Sequence, residues 1–293
     1  MADRALIRTN EPPRLHVVGR LGTLLRRREV LLNLTRKEMK VKYKSSVLGV
    51  VWSMLNPLLY LMVFYVVFTY FLRSGIPDFA VYLLAGLLPW TLFSTGFQGA
   101  TSSVVDNASL VTKVAFPHEM LPLSLVGASL VNFFFQFLVL IGFMLVVGYG
   151  FLGPNLLLLP LALAVLLLFT VAISLLASAV NVRYRDATHL VALALVAWFW
   201  VTPIVYPASL VRENIGGLAQ ELYFANPMTV VALGFQRALY GFRVDPEGGA
   251  VLPDPGVVWY AERLGMLGVA SVALLYLAWR RFFRMSGDFA EEL

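Results

Sequence analysis

Apolar residues in this chain fall in long uninterrupted runs, and charged residues gather where those runs end. The sharpest junction comes first. The basic segment Arg36-Lys37-Glu38-Met39-Lys40-Val41-Lys42-Tyr43-Lys44 passes into a stretch that has no charged residue until Arg73. At about 1.5 Å of rise per residue, that run exceeds the roughly 20 residues that cross a bilayer core. It predicts a first membrane span over residues 47–71, closed by a short outer turn over 73–78. A second span starts at Phe79, carries Gly86 and Pro89, and turns polar at Thr91, Ser94, Thr95, Gln98, Thr101, Ser102 and Ser103 before Asp106. Such a stripe faces either other helices or a water-filled path rather than lipid.

From Met120 to Val182 there are 63 residues without charge, enough for two crossings. Gly153-Pro154-Asn155 supplies the outer turn, which predicts spans over 121–147 and 156–182. Residues 190–206 predict a fifth crossing bent at Pro203. Beyond it, Pro207, Gly216-Gly217 and Asn226-Pro227 punctuate the chain, and the uncharged run from Leu222 to Gln236 holds only 15 residues. That is too short to cross, so 207–236 predicts re-entrant or interfacial half-helices on the outer side. Residues 241–256 form an outer loop, and 257–279 the last crossing, ending at Arg280, Arg281 and Arg284. Glu262 and Arg263, near its outer end, are expected to pair or to snorkel.

Ahead of the first span, residues 22–44 predict a helix with Leu24, Leu25, Leu31, Leu32, Met39 and Tyr43 on one side, interrupted by Arg28 and Lys42. This reads as an interfacial helix, preceded by a surface tail over residues 1–20. The expected fold is therefore an all-α integral membrane protein with six transmembrane helices, an N-terminal amphipathic helix, and half-helices between the fifth and sixth spans. The division is 1–46 for the cytoplasmic tail and interfacial helix, 47–283 for the membrane domain, and 284–293 for a cytoplasmic C-terminal tail.

Composition agrees with the pattern. Mean hydropathy is +0.77 and only 14% of residues are charged, well under the quarter or so of soluble proteins. The absence of Cys excludes disulfides and thiol chemistry. Net charge is +6, yet residues 1–46 alone hold 12 Lys/Arg against 4 Asp/Glu. A basic patch joined to a span points to a membrane surface rather than to nucleic acid. Six crossings place 18 Lys/Arg on the side of both termini and 5 opposite. The positive-inside rule then orients the chain as a multi-pass protein of the cytoplasmic (inner) membrane with both termini in the cytoplasm. The first apolar run is too long and too late for a signal peptide, so the chain is expected to keep its start near Met1.

Two short segments carry the candidate chemistry. In 106–122, Asp106 is expected to cap a short helix whose Leu110, Val111 and Val114 form a narrow apolar face, with Lys113 beside them. Phe116-Pro117-His118-Glu119 then breaks it before the next span. Taken alone this is a re-entry loop; a docking helix for a soluble partner is the other reading. Arg183-Tyr184-Arg185-Asp186 returns charge to the inner side, where Asp186 is expected to pair with an Arg. No Gly-x-x-x-x-Gly-Lys-Ser/Thr loop is present to hold a nucleotide, and His16, His118 and His189 lack metal-ligand spacing. No ionisable group lies deep in the first five spans, which argues against proton coupling.

The opening junction, from Leu34-Thr35-Arg36-Lys37-Glu38-Met39 to Trp52-Ser53-Met54-Leu55-Asn56-Pro57-Leu58, resembles that of type-2 ABC exporter membrane subunits, in particular exporters of polysaccharides such as O-antigen or teichoic acid. The Phe116-Pro117 loop and the Arg-Tyr-Arg-Asp run at 183–186 match the same family. The resemblance implies a permease without its own ATPase, forming a homodimer and docking on a cytoplasmic ABC ATPase that binds ATP and Mg. It assigns coupling to Asp106, Leu110, Val111, Lys113, Val114, Phe116, Pro117, Glu119, Arg183, Arg185 and Asp186. It implies a polyprenyl-diphosphate-linked glycan as cargo. Arg26, Arg27, Arg28, Lys40, Lys42 and Lys44 lie where its headgroup would sit, and ordinary anionic lipids would meet the same cations. Tyr60, Phe64, Trp90, Phe93, Phe97 and Trp198 stand as candidates to line a path for sugar rings. The alternatives are a drug or lipid exporter of the same fold, a passive channel, and a membrane glycosyl- or acyl-transferase using Glu213, Glu221, Asp245, Glu247 or Asp254.

Overall fold

The computed structural model describes residues 22–24, 26–44, 55, 58–59, 62–63, 66–71, 75–114, 116–150, 153–244, 249–253 and 256–293. Most of the expected first span, with Tyr60 and Phe64, lies outside them, as do residues 1–20 and the loop carboxylates Asp245, Glu247 and Asp254. The regular structure among the described residues is helical, apart from one isolated bridge between Val244 and Ala250.

The helices are α1 (Arg28–Tyr43), α2 (Phe79–Asp106), α3 (Ala108–Lys113), α4 (Met120–Val147), α5 (Leu158–Arg183), α6 (Ala187–Trp200), α7 (Ala208–Asn214), α8 (Gly217–Ala225), α9 (Pro227–Leu239), α10 (Val257–Met285) and α11 (Phe289–Glu292). A 3-10 turn, Pro154–Leu157, leads into α5. The helices α2, α4, α5 and α10 are long and apolar enough to cross a membrane. Their ends are set by the charges, Pro and Gly that bound each run. At the end of α4, Gly148 takes a left-handed φ of 71° and the Tyr149 N–H reaches back to the Met144 carbonyl at 2.8 Å, a terminus that a residue with a Cβ would strain.

Alternating directions gather α1, α3, α11, Arg183–Asp186 and the Arg280–Arg284 cluster at one end, the basic end. Helix α5 packs most extensively against α10, and α2 against α4 and α5. Helix α1 lies across α4 at Gly127, where an added Cβ would come within 3.1 Å of Thr35 Oγ1. Leu31, Leu34, Thr35, Glu38 and Met39 form the half-buried side of α1, whereas Leu32, expected there, is 50% exposed.

Three expectations change. The fifth crossing ends early: α6 has 14 residues, about 21 Å of helix, and residues 201–206 leave helical geometry around Pro203. The Pro203 carbonyl accepts from Gln236 Nε2 at 3.0 Å and from the Tyr82 hydroxyl at 3.3 Å, so the break is held by partners on α9 and α2. The half-helices differ among themselves. The α7 and α8 surfaces are largely exposed, but every residue of α9 from Met228 to Leu239 is buried against α2, α5 and α10. The last helix runs on past Trp279 to Met285, and the residues expected as a tail turn back to bury Phe289 completely.

The polar stripe of α2 is packing rather than a water path within the subunit. Thr91, Thr101, Ser102 and Ser103 return their hydroxyls to carbonyls three or four residues earlier, and Thr95 donates to Ser129 Oγ on α4 at 3.2 Å. Gln98 Nε2 donates to the Thr188 carbonyl at 3.2 Å, joining α2 to the start of α6. Near the N-terminal end of α10, Arg263 lies 4.2 Å over the Trp259 ring, a cation–π contact; of the two expectations, pairing and snorkelling, no ion pair with Glu262 is present among the described residues.

Candidate coupling and headgroup site

Residues from six helices and the N-terminal region meet at the basic end. A small apolar cluster joins Val104 of α2, Val111 of α3, Leu121 of α4, Leu175, Ala179 and Val182 of α5, and Ala278, Trp279 and Phe282 of α10, with Phe289 of α11. Leu24 and Leu34 of the N-terminal region pack on it. The chain folds so because each long helix keeps its last apolar turn inside the bundle just before its terminal charges.

The loop from Asp106 to Glu119 runs over this cluster. Val111 is buried at 5% exposure, Leu110 and Phe116 are half-buried, and Pro117 and Glu119 are buried. Val114, expected on the apolar face, is 48% exposed, because α3 ends at Lys113 and Val114 is extended. Asp106 is the last residue of α2 and caps nothing; Asn107 holds the cap position of α3. The Asn107 side chain donates to the Ser103 carbonyl at 2.9 Å and accepts from Lys37 Nζ of α1 at 2.7 Å. Lys37 thus ties the interfacial helix to the start of α3, a link across 70 residues that no spacing rule reveals.

Arg183, Arg185 and Asp186 are all exposed in the turn between α5 and α6. No ion pair joins Asp186 to either Arg among the described residues, contrary to expectation. The turn is held instead by Thr188 Oγ1, which donates to Asn181 Oδ1 at 2.8 Å, and by the His189 and Leu190 N–H groups on the Asp186 carbonyl. The two Arg side chains stay available to anionic groups outside the bundle.

The structure divides the candidate headgroup cations. Asn33, Arg36, Lys37, Lys40, Val41 and Lys44 line a groove of about 570 Å³ along the outward face of α1. Four cations thereby fall within about 12 Å of helix length, a spacing suited to phosphate oxygens. Lys42 lies off that groove; although its side chain is exposed, desolvation lowers its ammonium below the ordinary lysine pKa. Arg27 lines a second cleft, of about 380 Å³, with Phe116, Pro117, His118, Glu119 and Arg284. Arg26 and Arg28 are exposed beside it. Arg36 and Lys37, outside the six candidate headgroup cations, share the groove with Lys40 and Lys44.

The described aromatic candidates sit inside the bundle. Phe93 is fully buried, 5.2 Å from Trp198, 5.5 Å from Trp90 and 5.8 Å from Phe97, measured between ring centroids. Trp198 Nε1 donates to Asn226 Oδ1 at 2.7 Å, which also caps α9 through the Met228 N–H. In this conformation Phe93 presents no face to a passage, and the cluster joins α2 to α6 and α5. Sequence reasoning also missed Arg237, 6% exposed within α9 with its guanidinium 6.0 Å from the Tyr260 ring. Standing directly after the uncharged run that ends at Gln236, it reads in sequence as a residue at the end of a segment.

Comparison with known proteins agrees with this arrangement. Residues 29–240, from α1 through α9, match the family described as ABC-2 type transporter. The chain is 36% identical over 271 residues to the O-antigen export system permease protein RfbA of Myxococcus xanthus, covering 91% of this chain and 96% of that one. It is 30% identical over 233 residues to the protein of the same name in Klebsiella pneumoniae, covering 78% and 87%. It is 24% identical over 177 residues to the polysialic acid transport protein KpsM of Escherichia coli, covering 58% and 67%. With apolar helices of crossing length and a family match over most of its residues, the chain belongs to the ABC-2 type transporter family of multi-pass membrane proteins.

Proposed function

We propose that this chain is the membrane-spanning subunit of an ATP-driven exporter that carries a polyprenyl-diphosphate-linked polysaccharide across the cytoplasmic membrane. It works as a homodimer, its basic end faces the cytosol, and a separate ATPase supplies the energy through ATP and Mg bound on that partner. The observation that carries the reading is the likeness, along nearly the full length, to permeases named for O-antigen export.

The geometry at the basic end supports the division of labour. Helix α3 buries Val111 and turns Thr112 and Lys113 outward, and with the extended Val114 just past its end they leave a short exposed ridge for a soluble partner. Lys37 passes a displacement of that ridge to α1. Helix α1 in turn carries Arg36, Lys37, Lys40 and Lys44, the cations that would meet a diphosphate at the headgroup layer. A membrane-embedded transferase would need acid or base groups converging on a cleft, and Glu213 and Glu221 are exposed on α7 and α8.

Depleting the protein from its host and identifying lipid-linked glycans by mass spectrometry tests the reading. Accumulation of one undecorated or mature polyprenyl-diphosphate glycan inside the membrane is the expected result. Unchanged glycan pools would refute it in favour of drug or simple-lipid export.

A further inference from the structure

The segment after α10 is placed too deliberately for a tail. Helix α10 ends at Met285, the chain turns through Ser286–Asp288, and α11 folds back so that Phe289 is fully buried while Asp288, Ala290, Glu291 and Glu292 are exposed. The turn is held by the Ser286 N–H on the Phe282 carbonyl at 2.8 Å and the Asp288 N–H on that of Met285 at 3.1 Å. Terminal residues usually stay unordered unless something ties them down, because ordering them opposes chain entropy. Here the fully buried Phe289 ring does so, with Leu293 half-buried on the same cluster. Phe289 packs edge-on against Phe282 of α10 at 5.4 Å and lies 6.1 Å from the His118 ring, which meets Phe116 edge-on at 5.4 Å.

We infer that Phe289 is a positioning residue for coupling: it fastens the 116–119 segment of the α3 loop to the end of α10, so that a push on α3 moves the last span. The inference rests on the reading of α3 as the docking helix for an ATPase. Apart from the hook, the loop meets its flanking helices α2 and α4, α1 through Lys37, and the shared apolar cluster through Val111; the hook adds a ring contact to the 116–119 segment itself. With it, the line Phe116, His118, Phe289, Phe282 reaches α10, which packs along α5 over most of its length. Contacts of this kind transmit displacement because packed rings have discrete arrangements rather than a continuous range. The hook lies beyond the family-matched residues, which end at 240.

The test uses the full complex of this chain with its ATPase in proteoliposomes containing the lipid-linked glycan recovered from depleted cells. F289A should still capture the ATPase and hydrolyse ATP at the unaltered rate, while glycan moved per ATP falls about tenfold, in the usual range for one coupling interaction. Hydrogen exchange should quicken in residues 108–119 and stay unchanged in α2 and α9. F289L, which refills most of the space, should restore most of the ratio, and H118A added to F289A should cause little further loss, because both break one contact. Export and hydrolysis falling in step, or loop exchange that does not change, overturns the inference while leaving the docking reading intact. Failure of the unaltered chain to capture any ATPase overturns both.

Discussion

The two apolar clusters of this protein are built in opposite ways. The larger one fills the middle and the far end with whole faces of α2, α4, α5, α9 and α10, and its largest rings, among them Tyr82, Phe93, Phe133, Phe235, Tyr240 and Tyr260, are almost or fully buried. Three of its tyrosine hydroxyls are satisfied by backbone: Tyr82 donates to the Tyr206 carbonyl at 2.7 Å, Tyr240 to that of Pro77 at 2.8 Å, and Tyr149 to that of Tyr240 at 2.7 Å. The smaller cluster, at the basic end, collects one to three side chains from each of several helix ends. Losing any one of these contributors removes a large share of its packing. In the proposed mechanism the far end serves as the frame and the basic end as the joint, the smaller cluster being the one whose local opening costs less.

The largest expected effect tests the frame. Phe235 is fully buried in α9 and meets Phe133 of α4 edge-on at 5.9 Å. F235A should destabilise the fold by about 3 kcal/mol or more through the cavity it leaves. Folded protein in detergent and thermal midpoint should both drop, and ATPase capture should drop with them. F289A, equally buried but at the joint, should leave the midpoint closer to that of the parent. Equal losses of midpoint for the two would show that the clusters form one cooperative unit and would break the comparison.

Much of the frame was legible in sequence because charge and hydropathy act on it directly. The expected spans over 121–147 and 156–182 fall within a residue or two of α4 and α5, since Glu119, Gly148 and Arg183 stand at the transitions. The joint was less legible. Lys37 and Asn107 are 70 residues apart, and Phe289 stands in a short stretch rich in acidic residues, so neither enters any periodic pattern. The early end of α6 escaped for another reason. Residues 201–206 are apolar enough to continue a span, and the donors for the backbone that leaves the helix there come from distant residues, Tyr82, Asn226 and Gln236.

A smaller effect is expected at the edge of the joint. K37M keeps the aliphatic stem but removes the donor to Asn107 Oδ1. Export should fall by a factor of about 2–5, the worth of one partly solvated hydrogen bond, with ATPase capture and thermal midpoint unchanged. N107A should do the same alone and add little to K37M. Full additivity of the two would mean that α1 and α3 move independently.

The smallest effect belongs to the rim of the frame, where pH separates packing from hydrogen bonding. The Tyr149 hydroxyl is held above its ordinary pKa of 10.0, chiefly by burial, with Arg243 pulling the other way from 5.1 Å over its ring. The folded state therefore favours the protonated phenol. Its contribution is present in full below the unfolded value near pH 10 and is lost as pH rises from there through the folded pKa. Y149F should lower the thermal midpoint slightly at pH 7, leave glycan moved per ATP unchanged, and converge with the parent as pH is raised above 10. A gap that stays constant across that range would assign the loss to packing instead of to the bond with the Tyr240 carbonyl. A fall in transport per ATP at pH 7 would show that the far end, too, takes part in coupling.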